Sequence, residues 1–256
     1  RVMRAIRGLA GETEIRAGIR GVNTVPTGQG LASSASAFAA LAKAGCTAYG
    51  VEADDQLLSK LARLGSGSAA RSIHGGWVVW HRGERNDGYD SYGEQLFPVD
   101  HWPLRAVIAH IGHGHKKVPS TEGMQLCAQT SPYYEPWIAS CEADLGDCIA
   151  AVHARDFDAL AEIVERNCLA MHAAMIATRP SLLYWKPATL AVIEAVRSLR
   201  NAGCHCLFTI DAGPSVIVFT TPDSVDQVTA AMAEIKGITR VTRTMITGGA
   251  HIVPDG

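Results

Sequence analysis

Residues 26–38 read PTGQGLASSASAF. A proline and two glycines lead into a run of small residues. The alanine-rich stretch after them predicts a helix from Ser33 to about Ala48, ending near Gly50. A helix that opens on small residues leaves its unpaired N–H groups, and the positive end of its dipole, open to close approach. Gly28 and Gly30 let the loop bend, and Ser33, Ser34 and Ser36 add hydroxyl donors. Together they suit a phosphate chain with bound Mg²⁺. No Gly-Lys-Ser/Thr follows, so this is not a Walker loop. A tightly packed Ala/Ser helix under a close neighbour has the same composition, and the stretch alone leaves both readings open.

Residues 64–76, LGSGSAARSIHGG, repeat the device as a second loop-to-helix junction. Here Arg71 arrives on the first turn. A guanidinium holds a carboxylate or phosphate through two parallel hydrogen bonds, although a surface ion pair is the commoner use of an arginine. The third piece is FTIDAGP, residues 208–214. Asp211 closes an apolar strand just before a tight turn. It either caps that turn or projects into a cleft as a base or metal ligand.

Outward from these pieces, Val2, Ile6 and Leu9 have helical spacing, and Ile15, Ala17 and Ile19 predict a half-buried strand over 13–23. Asp54 is placed to cap a helix over 55–63. A strand is expected in GWVVWHRG, a domain connection or long surface excursion over 83–103 and a strand over 104–112. Helices follow over 121–130, 136–153, 157–177 and 187–202, and then the strands HCLFTI and SVIVFT. A helix over 225–236 and a strand in ITRVTRTMI close the pattern. Helices and strands mix without a strict βαβ rhythm, which predicts an α+β class.

The 256 residues are 47% hydrophobic, with a formal charge of -2. That balance supplies a large core and no long-range attraction to nucleic acid or anionic lipid. No apolar stretch reaches membrane-spanning length. Seven cysteines without a CxxC pair predict reduced thiols in a cytoplasmic protein. Cys127 and Cys168 read as buried thiols, and His172 as a hydrogen-bonded, partly buried histidine. Met124 reads as packing, and Trp77 and Trp80 as core and interface. His110, His113 and His115 lack a fourth ligand, so no metal site is assigned. Lys116 and Lys117 are placed near phosphates or solvent.

The stretches VNTVPTGQGLASSASAFAALA, LARLGSGSAARSIHGGWVVW, KKVPSTEGMQLCAQTSP, NCLAMHAAMIATRPSLLYW and GCHCLFTIDAGPSVIVF, in this order, resemble the GHMP kinase superfamily. Within it they are most similar to mevalonate diphosphate decarboxylases of the bacterial type. The resemblance implies two mixed α/β domains with an active-site cleft between them. Residues 1–103 would be the remainder of the ATP-binding domain, and 104–256 the C-terminal domain. That family opens with strands carrying a Tyr-Trp-Gly-Lys type motif, so the N-terminal strands are expected to be missing here, with a lysine near the phosphates.

The implied reaction uses ATP and Mg²⁺ to phosphorylate the 3-hydroxyl of mevalonate 5-diphosphate. Phosphate and CO₂ then leave to give isopentenyl diphosphate. Close relatives act on mevalonate 5-phosphate or stop at 3-phosphorylation, and these are the alternatives. The resemblance assigns Asp211 beside the 3-hydroxyl and Arg71 to the substrate carboxylate. Ser66, Gly67, Ser68 and Ser120 would line the substrate site. Gly28, Gly30, Leu31, Ala32, Ser33 and Ser34 would wrap the ATP phosphates. It also implies a homodimer with a small phosphorylated substrate. Departures from the pattern are Gly28-Gln29 where the family has Ala-Ala, Pro119 where it often has a small polar residue, and Ser215 where it has Asn.

Overall fold

The computed structural model describes residues 1–11, 14–23, 33–112 and 118–253. They form two compact units, one from the described residues of 1–101 with the tail from Ile246, the other Trp102–Met245. The tail from Ile246 clusters with the first unit, whereas the family resemblance implies that it belongs to the C-terminal domain.

The first unit holds helices α1 (Val2–Leu9), α2 (Ser33–Ala48) and α3 (Asp55–Arg63), a 3₁₀ helix (Gly67–Ile73) and strands β1 (Trp77–Trp80) and β2 (Gly93–Phe97). Asp54 caps α3 by accepting from the Leu57 N–H at 2.7 Å, as its position before an apolar-periodic run predicts. The core joins Ile6 of α1, Ala39 and Ala42 of α2, Leu58, Leu61 and Ala62 of α3 and Ala69 of the 3₁₀ helix. Alanine at these contacts lets the helices approach closely, because no long side chain spaces them.

Two expectations are corrected in this unit. Residues 14–23 form no strand, and Ile15, Ile19 and Val22 are 58, 63 and 85% exposed. Alternation buries a face only when a neighbouring strand supplies hydrogen bonds and a sheet to pack on, and none of the described strands pairs with this segment. The stretch 83–103 holds the boundary between the units, at His101–Trp102, but it is not wholly an excursion: β2 pairs antiparallel with β1, Trp80 opposite Gly93. The second small-residue junction is a loop-to-helix junction as expected, and its helix at Gly67–Ile73 is of the 3₁₀ type.

The second unit holds β3 (Arg105–Ile111), α4 (Ser120–Thr130), α5 (Tyr134–Ala154), α6 (Phe157–Ile176), α7 (Pro187–Asn201), β4 (Cys206–Thr209), β5 (Val216–Thr220), α8 (Val225–Ala233) and β6 (Ile238–Met245). The strands make one antiparallel sheet in the order β4-β5-β3-β6. Val107 and Ala109 of β3, Phe208 of β4 and Val216 and Val218 of β5 are buried against Val192 and Val196 of α7 and Val228 and Met232 of α8. Each large aliphatic or aromatic side chain so buried contributes up to about 1.5–3 kcal/mol. β4 lies at the sheet edge, and α6 runs along it.

Candidate active site

In the first unit the serines of the two small-residue junctions meet. Ser34, on the first turn of α2, lies with its Oγ 3.0 Å from the Ser66 Oγ. Ser66 precedes the 3₁₀ helix, and its Oγ is 3.2 Å from that of Ser68. The first turn of α2 carries no acidic residue, so its dipole meets no carboxylate of its own turn. Ser33 opens the same helix. Ser36, a donor candidate by its place in the sequence, instead donates to the Ser33 carbonyl at 3.2 Å.

Arg71 lies on the 3₁₀ helix with its residue exposed. Its guanidinium carbon is 5.8 Å from the centre of the Trp80 ring, within reach of the ring's negative face. The Trp80 Nε1–H donates to the Ser91 Oγ at 3.1 Å, which fixes the ring. Gly67 is small by necessity, since a Cβ there would lie 2.6 Å from the Trp80 ring. The backbone just before Arg71 is held by Ser59, which is fully buried in α3. The Ser59 hydroxyl donates to the Ala70 carbonyl at 2.8 Å and accepts the Gly93 N–H at 2.7 Å. A Cβ on Gly93 would lie 2.5 Å from that carbonyl, so only glycine allows β2 to come this close.

In the second unit Asp211 follows β4 and is exposed. The residue before it, Ile210, is 1% exposed and held on both backbone groups. The Cys168 Sγ accepts its N–H at 3.2 Å, and the His172 Nε2 lies 3.0 Å from its carbonyl. A carbonyl only accepts, so His172 carries its proton on Nε2. Burial lowers the His172 pKa, against the raising effect of that bond. Burial pushes the Cys168 thiol up to about 11. Past Asp211, Thr189 donates to the Pro214 carbonyl at 2.8 Å. The buried Ser215 accepts the Ile111 N–H at 3.2 Å.

Asp211 also borders a cavity of about 410 Å³ between α5 and α6, whose wall includes Asp144, Asn167, Cys168 and Met171. Burial raises the Asp144 carboxyl, but hydrogen bonds from Asn167 and Arg166 outweigh it and hold the group below its ordinary value. Ser120 opens α4 and is exposed. Val118 and Met124, on either side of it, pack in one cluster with Ala212, the neighbour of Asp211. Met124 thus packs, as expected, and Cys127 and Cys168 are buried thiols.

The structure therefore gathers Ser34, Ser66, Ser68 and Arg71 at one place in the first unit. In the second it sets Ser120 and Asp211 around one small apolar cluster. Gly28, Gly30, Leu31 and Ala32 lie outside the described residues, as do His113, His115, Lys116 and Lys117. His110 is buried with its Nε2 2.9 Å from the Thr242 Oγ1. Among the described residues no cluster of acids, histidines and cysteines is arranged to hold a metal ion. No described helix is long and apolar enough to cross a membrane, and the seven cysteines are free. Sequence reasoning missed Ser59 and the part played by Trp80. The available signal for Ser59 was a serine inside the apolar run LLSKLA.

Residues 1–93 match the diphosphomevalonate decarboxylase-like N-terminal domain, and residues 106–252 the mevalonate 5-diphosphate decarboxylase C-terminal domain. The chain is 37% identical over 219 residues to the diphosphomevalonate decarboxylase of Aspergillus fumigatus, across 84% of this chain and 54% of that protein. It thus spans about half the length of that curated relative. Among solved structures, mevalonate diphosphate decarboxylase from Staphylococcus aureus superposes with a TM-score of 0.85 at 34% identity, over 97% of this chain and 75% of the other. A complex of MDDEF with MVAPP, AMPPCP and magnesium gives 0.83 at 34% identity, with the same two coverages. Two domain matches in the right order, a shared fold and the paired serine junctions lead to one conclusion: this chain belongs to the mevalonate 5-diphosphate decarboxylase family of the GHMP kinase superfamily.

Proposed function

We propose that the protein carries out the ATP-dependent decarboxylation of mevalonate 5-diphosphate to isopentenyl diphosphate. The observation that carries this reading is the Ser34–Ser66–Ser68 hydroxyl chain beside Arg71 at the acid-free N-terminus of α2. In this reading residues 1–103 form the ATP-binding half and 104–256 the C-terminal half, with the boundary in the stretch between the two domain matches, which end at residue 93 and resume at 106.

The residues present fit ATP with Mg²⁺. The start of α2 offers unpaired N–H groups and hydroxyls to phosphate oxygens, and Gly28, Gly30, Leu31 and Ala32 would complete that loop. With no acidic cage among the described residues, Mg²⁺ would arrive with the nucleotide, as is usual for this ion. When bound, the pair supplies the phosphoryl group and neutralises its charge. Ser33 and Ser34 would hold phosphate oxygens, while Ser66, Gly67 and Ser68 line the substrate site. Ser120, at the start of α4, would meet the substrate's 5-diphosphate end.

Asp211 takes or orients the proton of the tertiary 3-hydroxyl, an alcohol too weak a nucleophile to react unaided. Arg71 grips the substrate carboxylate with two parallel hydrogen bonds until it leaves as CO₂. No side chain forms a bond to carbon; positioning and electrostatics lower the barrier. The free cysteines fit a reducing, cytoplasmic compartment, and the family resemblance implies a homodimer acting on this small substrate.

The test is release of labelled CO₂ from [1-¹⁴C]mevalonate 5-diphosphate and, in parallel, from the 5-monophosphate, with Mg-ATP. Release from the diphosphate alone is the expected result. Release from the monophosphate alone would reassign the substrate.

A further inference from the structure

β4 is an edge strand, and an edge strand presents unpaired N–H and C=O groups. Here α6 covers that edge with side chains instead of a neighbouring strand. Glu165 accepts the Phe208 N–H at 3.1 Å, Cys168 accepts the Ile210 N–H at 3.2 Å, and His172 donates to the Ile210 carbonyl at 3.0 Å. Positions 165, 168 and 172 share one helix face, and 208 and 210 share one strand edge. All three side chains belong to buried residues. The Trp185 ring rests against His172 at 4.9 Å between centroids and fixes the imidazole plane.

The lock ends at a telling place. Regular pairing of β4 stops at Thr209, opposite Ile217, so the Ile210 carbonyl is the last edge group held before Asp211. That carbonyl lies in the peptide plane that contains the Asp211 N and Cα. Fixing its direction therefore fixes where Asp211 leaves the sheet. A short side chain with two torsions inherits most of its aim from its backbone.

We propose that His172 is a positioning residue for Asp211, holding the Ile210–Asp211 peptide plane so that the carboxylate meets the substrate hydroxyl. The inference rests on the proposed role of Asp211 as the group beside that hydroxyl.

The test compares His172→Phe, which keeps a ring against Trp185 and loses the donor, with His172→Gln, whose side-chain N–H reaches a similar distance. Two readouts are taken: kcat and KM for CO₂ release, and amide hydrogen exchange along residues 206–220. The expected result for His172→Phe is a fall in kcat of about tenfold or more with both KM values nearly unchanged. Protection at 211–213 should drop about tenfold while 216–220 keep theirs, and His172→Gln should recover most of both. If His172→Phe does not fold, His172→Asn, whose amide is too short to reach, replaces it.

An unchanged kcat in a folded variant, or a change in KM alone, overturns the proposal. If the wild-type protein releases no CO₂, the functional reading fails first and exchange alone decides. Unchanged protection at 211–213 then overturns the positioning role, and a local loss that His172→Gln restores supports it.

Discussion

Arg71 and Asp211 are mounted in similar ways and aimed in different ones. In each case the residue just before is pinned by buried polar side chains from a helix. Ser59 of α3 holds Ala70, while Cys168 and His172 of α6 hold Ile210. The difference lies beyond the pin. An arginine has four side-chain torsions between backbone and charge, so a fixed Cα does not by itself set where the guanidinium points. It needs a second guide, and the Trp80 face provides one. An aspartate is short and needs none, so its aim depends almost wholly on the backbone behind it. The comparison teaches that a long functional side chain tolerates a modest backbone error and a short one does not.

The largest expected effect comes from the short side. Asp211→Asn keeps the shape and the pinned backbone but removes the base, and turnover should fall by roughly 10²–10⁴-fold. ATP binding and the melting temperature should hold; wild-type rates in this variant would remove Asp211 from the chemistry. Next is the pin behind Arg71. Ser59→Ala would leave the Ala70 carbonyl and the Gly93 N–H buried without their partner, at a cost of about 2–4 kcal/mol. Chemical denaturation would measure it, and a loss under about 0.5 kcal/mol would show that the pin is dispensable.

Arg71→Lys swaps a two-pronged donor for a single ammonium. Losing one charge-assisted bond of about 1.5–3 kcal/mol predicts a fall in kcat/KM of roughly 10–150-fold, with stability unchanged. Trp80→Leu removes the guide together with the hydrogen bond to Ser91. A cation–π contact at an exposed site is worth about 0.5–1 kcal/mol, so kcat/KM should drop a few-fold. A loss as large as that of Arg71→Lys would mean that Trp80 does more than steer the arginine.

The smallest expected effect is in pH. Burial lowers the pKa of both His172 and His110, with the Arg240 charge adding to the effect at His110. The unfolded chain takes up these protons near pH 6.5 and the folded chain does not. Their contribution is therefore complete above about pH 6.5 and is lost as pH falls through the lowered values. Melting temperature should decline between pH 7 and 5.5, and less steeply in His110→Gln. A melting temperature that rises over this range would contradict the sign.

Much of the fold was legible in the sequence because local rules and tertiary structure agreed. Asp54 capped its helix, the alanine-rich run from Ser33 wound as expected, and the apolar runs at 105–111 and 216–220 became central strands. The failures have physical causes. The alternation at Ile15, Ala17 and Ile19 needs a strand beside it, and no sequence rule says whether one is there. β2, GEQLF, has no β-branched residue and starts on glycine, so it carries little strand signal; it forms because Gly93 fits beside Ala70.

The site divides along similar lines. Small-residue junctions and a strand-end aspartate show in the sequence as chemistry-bearing types, but their roles came from resemblance to a family. The contacts that mount them, Ser59 on Ala70 and His172 on Ile210, join residues 11 and 38 positions apart. Such pairings appear only once the chain is folded.

Arg71 and Asp211 are proposed to serve one reaction, in which phosphoryl transfer leads to decarboxylation. The most direct test measures ADP and CO₂ together, from mevalonate 5-diphosphate and Mg-ATP, in the wild-type protein and in Asp211→Asn. Equal amounts of ADP and CO₂, slowed together by the substitution, are the predicted result. ADP formed without CO₂ would make the protein a kinase that stops at phosphorylation, and Arg71 would then hold no departing carboxylate.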